Sequence, residues 1–164
     1  MVFVCTGNAA RSVMAGAILA ARTADIRVTT AGTHVVEGMP MSWRTRDAML
    51  AVGVDPPRHR SRQLRDEDVA QADLVVALAV EHVEYIRRTH PEAVGMTGTL
   101  RRLVRDLVAG PEPLRTRVAA LRLGQLELEP WEDVADPAGG DLPEYTACAR
   151  DVLDLVVELA PRLH

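Results

Sequence analysis

Short β-branched runs alternate with stretches of three-and-four periodicity along the chain. Met1 to Val4 and Ile26 to Thr30 are short, rich in β-branched residues and bounded by loops, which predicts strands. Asp73 to Leu78 carries a continuous apolar run of the kind found in a strand buried on both faces. Residues 12 to 22 and about 41 to 52 read as helices, the second closed by Gly53, and Asp55-Pro56-Pro57 reads as a turn. Residues 80 to 89, 99 to 109 and 114 to 123 predict further helices, with Gly110-Pro111 and Pro113 separating the last two. In the final helix Tyr145, Cys148, Val152, Leu155 and Leu159 recur at spacings of three and four and share one face, with Asp141 as its cap. This alternation predicts an α/β domain, a parallel sheet with helices on both faces. Its 164 residues suit a single domain over 1–164, and no repeat, linker or low-complexity tract divides them.

The first strand ends in the chain's most informative segment, Val-Phe-Val-Cys-Thr-Gly-Asn-Ala-Ala-Arg-Ser over residues 2–12. A cysteine and an arginine six positions apart bracket a strand-to-helix turn, at the sheet end where open α/β folds bind ligands. Loop amides converging on a helix N-terminus favour a dianion. Arg11 adds a planar fork matching two phosphate oxygens, which lysine cannot reproduce. The same positive field favours the thiolate of Cys5, and Ser12 can donate a hydrogen bond to the sulfur. Taken alone, a lone cysteine at the end of a buried strand is more often a small core hydrophobe. The spacing to Arg11 and the Gly7-Asn8 turn tip that balance toward a phosphate cradle over a nucleophile. Thr6, Gly7, Asn8, Ala9, Ala10, Arg11 and Ser12 form the cradle.

The segment resembles the low-molecular-weight protein tyrosine phosphatases, whose signature is Cys-x5-Arg-Ser after an N-terminal strand, with Gly-Asn inside the loop. Thr30-Ala31-Gly32-Thr33, Gly53, His59-Arg60-Ser61-Arg62-Gln63-Leu64 and Ala72-Asp73-Leu74-Val75-Val76-Ala77-Leu78 follow in the family's order and spacing. The resemblance implies a three-layer domain with a four-stranded parallel sheet and a phosphate-binding loop after the first strand. It also implies a metal-independent phosphomonoester hydrolase working through a phosphocysteine, on protein phosphotyrosine or a small phosphomonoester. Asp136-Pro137 sits where the family carries its general acid. The proline fixes φ and stiffens the loop presenting the carboxyl. Asp-Pro is otherwise a common turn dipeptide, and Asp133 is the fallback acid. Asn8 can adopt the left-handed bend of the loop, and the resemblance implies that Ser12 and His59 hold it.

Departures from the family pattern bear on the substrate. Many members have a second cysteine where this chain has Ala10. Many have aromatic residues directly after Asp-Pro and on the rim after the second strand. Here those stretches read Ala138-Gly139-Gly140 and His34-Val35-Val36-Glu37, so aromatic walls for a phosphotyrosine ring are expected to be absent. An arsenate reductase on this fold needs relay cysteines, and residues 79 to 90 hold none. A sugar-phosphotransferase carrier protein lacks the equivalent of Arg11. A non-catalytic phosphate-binding module is the rival that the atypical rim leaves open.

A formal net charge of −4 offers no bulk attraction to nucleic acid or an anionic membrane. No apolar run approaches a membrane span, and the first strand begins at once, leaving no room for a signal peptide. Two distant cysteines make no disulfide framework, and a working thiolate needs a reducing compartment, so a cytoplasmic monomer or weak dimer is expected. No metal or other cofactor is expected, since Arg11 and the loop amides take the role a metal would fill. Arg60, Arg62 and Arg65 read as a solvated face or an attractor of phosphorylated partners. Cys148 reads as core, while His34, His82, His90 and His164 have no partner visible in the sequence.

Overall fold

The computed structural model describes residues 1–164. Strands β1 (Val2–Cys5), β2 (Thr29–Gly32), β3 (Val75–Ala77) and β4 (Thr97–Thr99) form one sheet in the order β2-β1-β3-β4. All three pairings are parallel, with Val2 opposite Thr29 and Val75, and Val75 opposite Thr97. Parallel strands require crossovers, supplied here by helices on both faces: α1 (Arg11–Ala20), α2 (Trp43–Ala51), α3 (Asp66–Ala70), α4 (Val80–Thr89), α5 (Leu100–Asp106), α6 (Leu114–Ala120) and α7 (Leu142–Leu159).

The period-two alternation of the strands sorts side chains into two cores. Phe3, Cys5, Leu74, Val76 and Leu78 join the larger cluster, which includes Met14 and Ile18 of α1, Met49 of α2 and Val152 and Val156 of α7. Val2, Val4, Ala31 and Val75 face the smaller cluster with Val69 of α3 and Ile86 of α4. Cys5 therefore lies at the strand's end on the face covered by α1 and α7. The buried stripe of α7 is Cys148, Ala149, Val152, Val156 and Leu159, with Tyr145 and Leu155 at its edges. Burial pushes the Cys148 thiol up to about 12, against the opposing influence of Arg11, so it is an inert core group. No helix is long and apolar enough to cross a membrane.

Several boundaries differ from the sequence reading. The second strand runs over Thr29–Gly32 instead of 26–30, because pairing with Val2–Cys5 fixes its register, while Ile26 and Val28 pack against the core before it. The predicted helix at 99–109 is the shorter α5 over Leu100–Asp106, whose N-cap Thr99 accepts the Arg102 N–H at 3.2 Å, and the strand β4 that precedes it is not among the predicted elements. Thr97-Gly98-Thr99 carries no hydrophobic alternation, so only its place beside β3 makes it a strand. Helix α2 begins after Ser42, whose hydroxyl accepts the Thr45 N–H at 3.1 Å, and Gly53 closes it at φ 74° as expected. Asp141 precedes α7, its N–H donated to Glu144 at 2.9 Å. The Arg60–Arg65 segment is no free basic cluster. Arg62 is held by both oxygens of Asp68 at 2.7 and 2.8 Å, Arg65 reaches Glu37 at 3.3 Å, and Arg60 donates to the Gly38 carbonyl.

Candidate active site

Residues Thr6 to Ala10 close the turn from β1 to α1, and the surrounding chain takes hold of their carbonyls. Thr33 and His34 donate their N–H groups to the carbonyls of Cys5 and Thr6 at 2.9 and 3.0 Å. His59 Nε2 and Ser61 Oγ donate to the Asn8 carbonyl at 2.6 and 2.9 Å. Thr45 Oγ1 donates to the Ala9 carbonyl at 3.0 Å. With these carbonyls drawn outward, none of the N–H groups of Thr6 to Ala10 finds a partner within the chain. Backbone donors left in this state are what an anion requires.

Asn8 is the pivot of the bend. It is fully buried at φ 48°, where Asn is tolerated better than most residues. Its side-chain Oδ1 accepts the Arg62 N–H at 3.0 Å, which fixes the amide's orientation. The Nδ2 group then donates to Ser12 Oγ and Thr30 Oγ1, both at 3.0 Å. Ser12 Oγ, already accepting from Asn8, lies 3.0 Å from Cys5 Sγ and has its own proton left to give the sulfur. Gly7 is not sterically required, whereas Gly32 is: a Cβ there would meet the Thr6 carbonyl oxygen at 2.5 Å and the Asn8 nitrogen at 2.9 Å.

His59 reaches the loop through its Nε2 contact with the Asn8 carbonyl. Because the Asn8 carbonyl can only accept, Nε2 carries the proton. Burial lowers its pKa from the ordinary 6.5, against the Asn8 hydrogen bond that raises it.

Arg11 is buried with only 4% exposure, and its guanidinium donates to Asp136 Oδ2 at 2.6 Å, to Thr6 Oγ1 at 3.3 Å and to the Val134 carbonyl at 3.3 Å. Asp136 is thereby brought to the mouth of the loop, its second oxygen accepting the Ala138 N–H at 3.0 Å. Pro137 beside it is buried. Asp133 is committed elsewhere: its carboxylate caps α4 by accepting the Val80 N–H at 2.7 Å, and Val134 N–H bonds the Leu78 carbonyl at 2.9 Å. The Asp136 loop is in this way fastened to the end of β3.

The structure also gathers residues that the sequence did not single out. Thr45, Ser61 and Thr30 hold the loop from 22 to 53 positions away, with no local signal to announce them. The four histidines without visible partners all acquire neighbours. His34 packs edge-on against Tyr85 at 5.4 Å, His90 meets Asp66 at 2.9 Å, and His164 lies 3.5 Å from Asp25. Next to Thr6, the same His34–Tyr85 pair forms one aromatic wall of a rim cavity, contrary to the expectation of none. No aromatic residue follows Pro137.

His82 is 1% exposed, with Nε2 3.0 Å from Thr6 Oγ1 and Nδ1 unpartnered. Burial, with smaller contributions from Arg11 and His34, lowers its pKa from 6.5 to about 3. The unfolded chain binds a proton at His82 below about pH 6.5 and the folded chain does not, so this stability is fully present above 6.5 and lost as pH falls toward 3. Between those values the unfolding free energy should fall by up to about 1.4 kcal/mol per pH unit on account of His82. Urea unfolding at pH 7, 5 and 4 checks this. His82→Gln should show a shallower acid slope than the parent; equal slopes would contradict a buried neutral His82.

This geometry agrees with what the chain is similar to. The profile of the low molecular weight phosphotyrosine protein phosphatases matches residues 1–110. The chain belongs to that family. A curated protein-arginine-phosphatase of Geobacillus stearothermophilus is 32% identical over 99% of this chain and 95% of its own length. The solved YwlE arginine phosphatase from the same organism superposes with a TM-score of 0.77 at 31% identity, over 97% of this chain and 88% of that one. A low molecular weight protein tyrosine phosphatase from T. tengcongensis superposes with a TM-score of 0.76 at 31% identity, over 96% and 95%. This family member is a metal-independent, cysteine-based phosphatase.

Proposed function

We propose that Cys5, Arg11 and Asp136 carry out the hydrolysis and that the substrate is a phosphorylated protein side chain or a small phosphomonoester. Cys5 Sγ attacks phosphorus in line with the leaving group; the S–P bond forms as the bond to the leaving atom breaks. Arg11 and the N–H groups of Thr6 to Ala10 hold the equatorial oxygens, where charge accumulates. Asp136 gives its proton to the leaving atom. Water then attacks the phosphocysteine and passes a proton to Asp136, releasing inorganic phosphate and the thiolate. A dianion over the loop competes with Asp136 for Arg11, so binding frees the carboxyl to face the leaving group. The observation carrying the reading is the loop itself, with its carbonyls bonded to the surrounding chain and its N–H groups unpartnered directly after Cys5.

Phosphotyrosine is supported by the family and by the His34–Tyr85 wall. Phosphoarginine is supported by the arginine phosphatase of Geobacillus stearothermophilus, similar to this chain over nearly its whole length. Turnover of p-nitrophenyl phosphate, a phosphotyrosine peptide and a phosphoarginine peptide tests the proposal, with Cys5→Ser as control. Cysteine-dependent phosphate release from at least one peptide is expected. Binding of phosphate without release from any of the three would favour a non-catalytic module.

A further inference from the structure

Glu81 stands at the mouth of the loop with no cationic side chain paired to it. Its Oε1 accepts the Thr6 hydroxyl at 3.1 Å and lies 3.2 Å from His82 Nε2, while its side chain is 63% exposed. His82, held neutral by its burial, leaves the Glu81 charge uncancelled. Arg11 spends its donors on Asp136, Thr6 and Val134. A line of contacts of 2.6, 3.3 and 3.1 Å thus joins Asp136, Arg11, Thr6 and Glu81, with a carboxylate at each end. Beyond Thr6 a cavity of about 210 Å³ opens, lined also by Glu84, His34, Tyr85 and Arg88. Arg88 on its outer side lies 5.8 Å from the centre of the Tyr85 ring, making a cation–π contact.

A carboxylate beside a phosphate dianion raises the cost of binding any substrate whose leaving group is neutral. The cost is cancelled when the leaving group is itself a cation with several N–H donors. We infer that Glu81 is a specificity-determining residue that selects substrates whose phosphate is carried by a guanidinium, the N-phosphorylated arginine side chain, over phosphotyrosine. This rests on the phosphatase reading above. In that reaction the S–P bond forms as the P–N bond breaks. Asp136 protonates the departing nitrogen, and the side chain leaves as a guanidinium whose other N–H groups face Glu81. The guanidinium is a cation both in the bound substrate and as it leaves, so the interaction lowers the whole path from free substrate to the transition state and appears in kcat/KM.

The test compares kcat/KM for a phosphoarginine and a phosphotyrosine peptide in the parent, Glu81→Gln and Glu81→Asp, each checked for folding by circular dichroism and thermal melting. The arginine-to-tyrosine ratio should fall about tenfold in Glu81→Gln, the scale of one charge pair near a protein surface. Glu81→Asp should retain most of the ratio, and raised salt should compress the parent's ratio. An unmoved ratio in Glu81→Gln would overturn the inference. So would an equal loss on both peptides without rescue by Asp, which would mean that Glu81 only steadies Thr6. A folded parent that hydrolyses neither peptide would fail the phosphatase reading instead, an outcome seen without any variant.

Discussion

Cys5→Ser and Arg11→Lys are each expected to reduce phosphatase turnover to background while leaving the fold intact. A serine hydroxyl is not ionised at neutral pH and is a poor nucleophile without a base beside it. The hydrogen-bond partner of the Cys5 sulfur is Ser12, itself a hydroxyl. Cys5 is 3% exposed, and serine is nearly its size, so the packing of β1 under α1 should tolerate the change. Arg11 is the harder case because it is also structural. Lysine has no planar fork, so it cannot serve the Val134 carbonyl, Thr6 and Asp136 together, nor two phosphate oxygens. Removing a single donor to developing oxyanion charge costs about 10²–10³ in rate, and lysine here forfeits more than one. Steady-state turnover of p-nitrophenyl phosphate, with melting curves as a folding control, measures both variants. Near-parental rates in either would exclude the assigned role.

Asp136→Asn should lower kcat by roughly two to four orders of magnitude, the scale of a positioned general acid. The loss should be greater for phenyl phosphate than for p-nitrophenyl phosphate, whose leaving group needs little protonation. Asparagine can still accept the Ala138 N–H, so the loop's shape is preserved and the lost proton is isolated as the cause. Asp133→Ala serves as the contrast. That carboxylate caps α4, so its removal should lower stability by about 1 kcal/mol, with little dependence of activity on the leaving group. Equal losses on both substrates for Asp136→Asn would reduce it to a partner that holds Arg11.

The loop and the sheet were legible in the sequence for different reasons. Cys5 to Ser12 is a contiguous segment set by local backbone geometry, so spacing alone pointed to the chemistry proposed for it. β1 and β3 were evident because buried parallel strands are apolar throughout. β4 was hidden because three residues containing a glycine show no periodicity, and α3 because five residues are too few to show one. What holds the loop was mostly invisible. Thr45, Ser61 and the Arg62 N–H act through contacts across 36 to 54 positions, and a serine or threonine in such a segment has no distinguishing neighbour. His59 and Asp136 were found only through the family resemblance. The ion pairs of Arg62 and Arg65 were not legible because their acidic partners, Asp68 and Glu37, come from separate elements. Tyr85 was missed as a rim wall for the same reason: it rises from α4 to meet His34 after β2.

The central claim is that the phosphoryl group passes through the Cys5 sulfur. Rapid acid quench of the enzyme during turnover, followed by peptide mass spectrometry, tests it most directly. Asp136→Asn is the form to use, since without its base the second step slows and the intermediate accumulates. A phosphoryl group on Cys5, absent from Cys5→Ala and lost when the substrate is exhausted before the quench, is the predicted result. Phosphate on another residue, or turnover with no phosphoenzyme under conditions that preserve a thiophosphate, would contradict it.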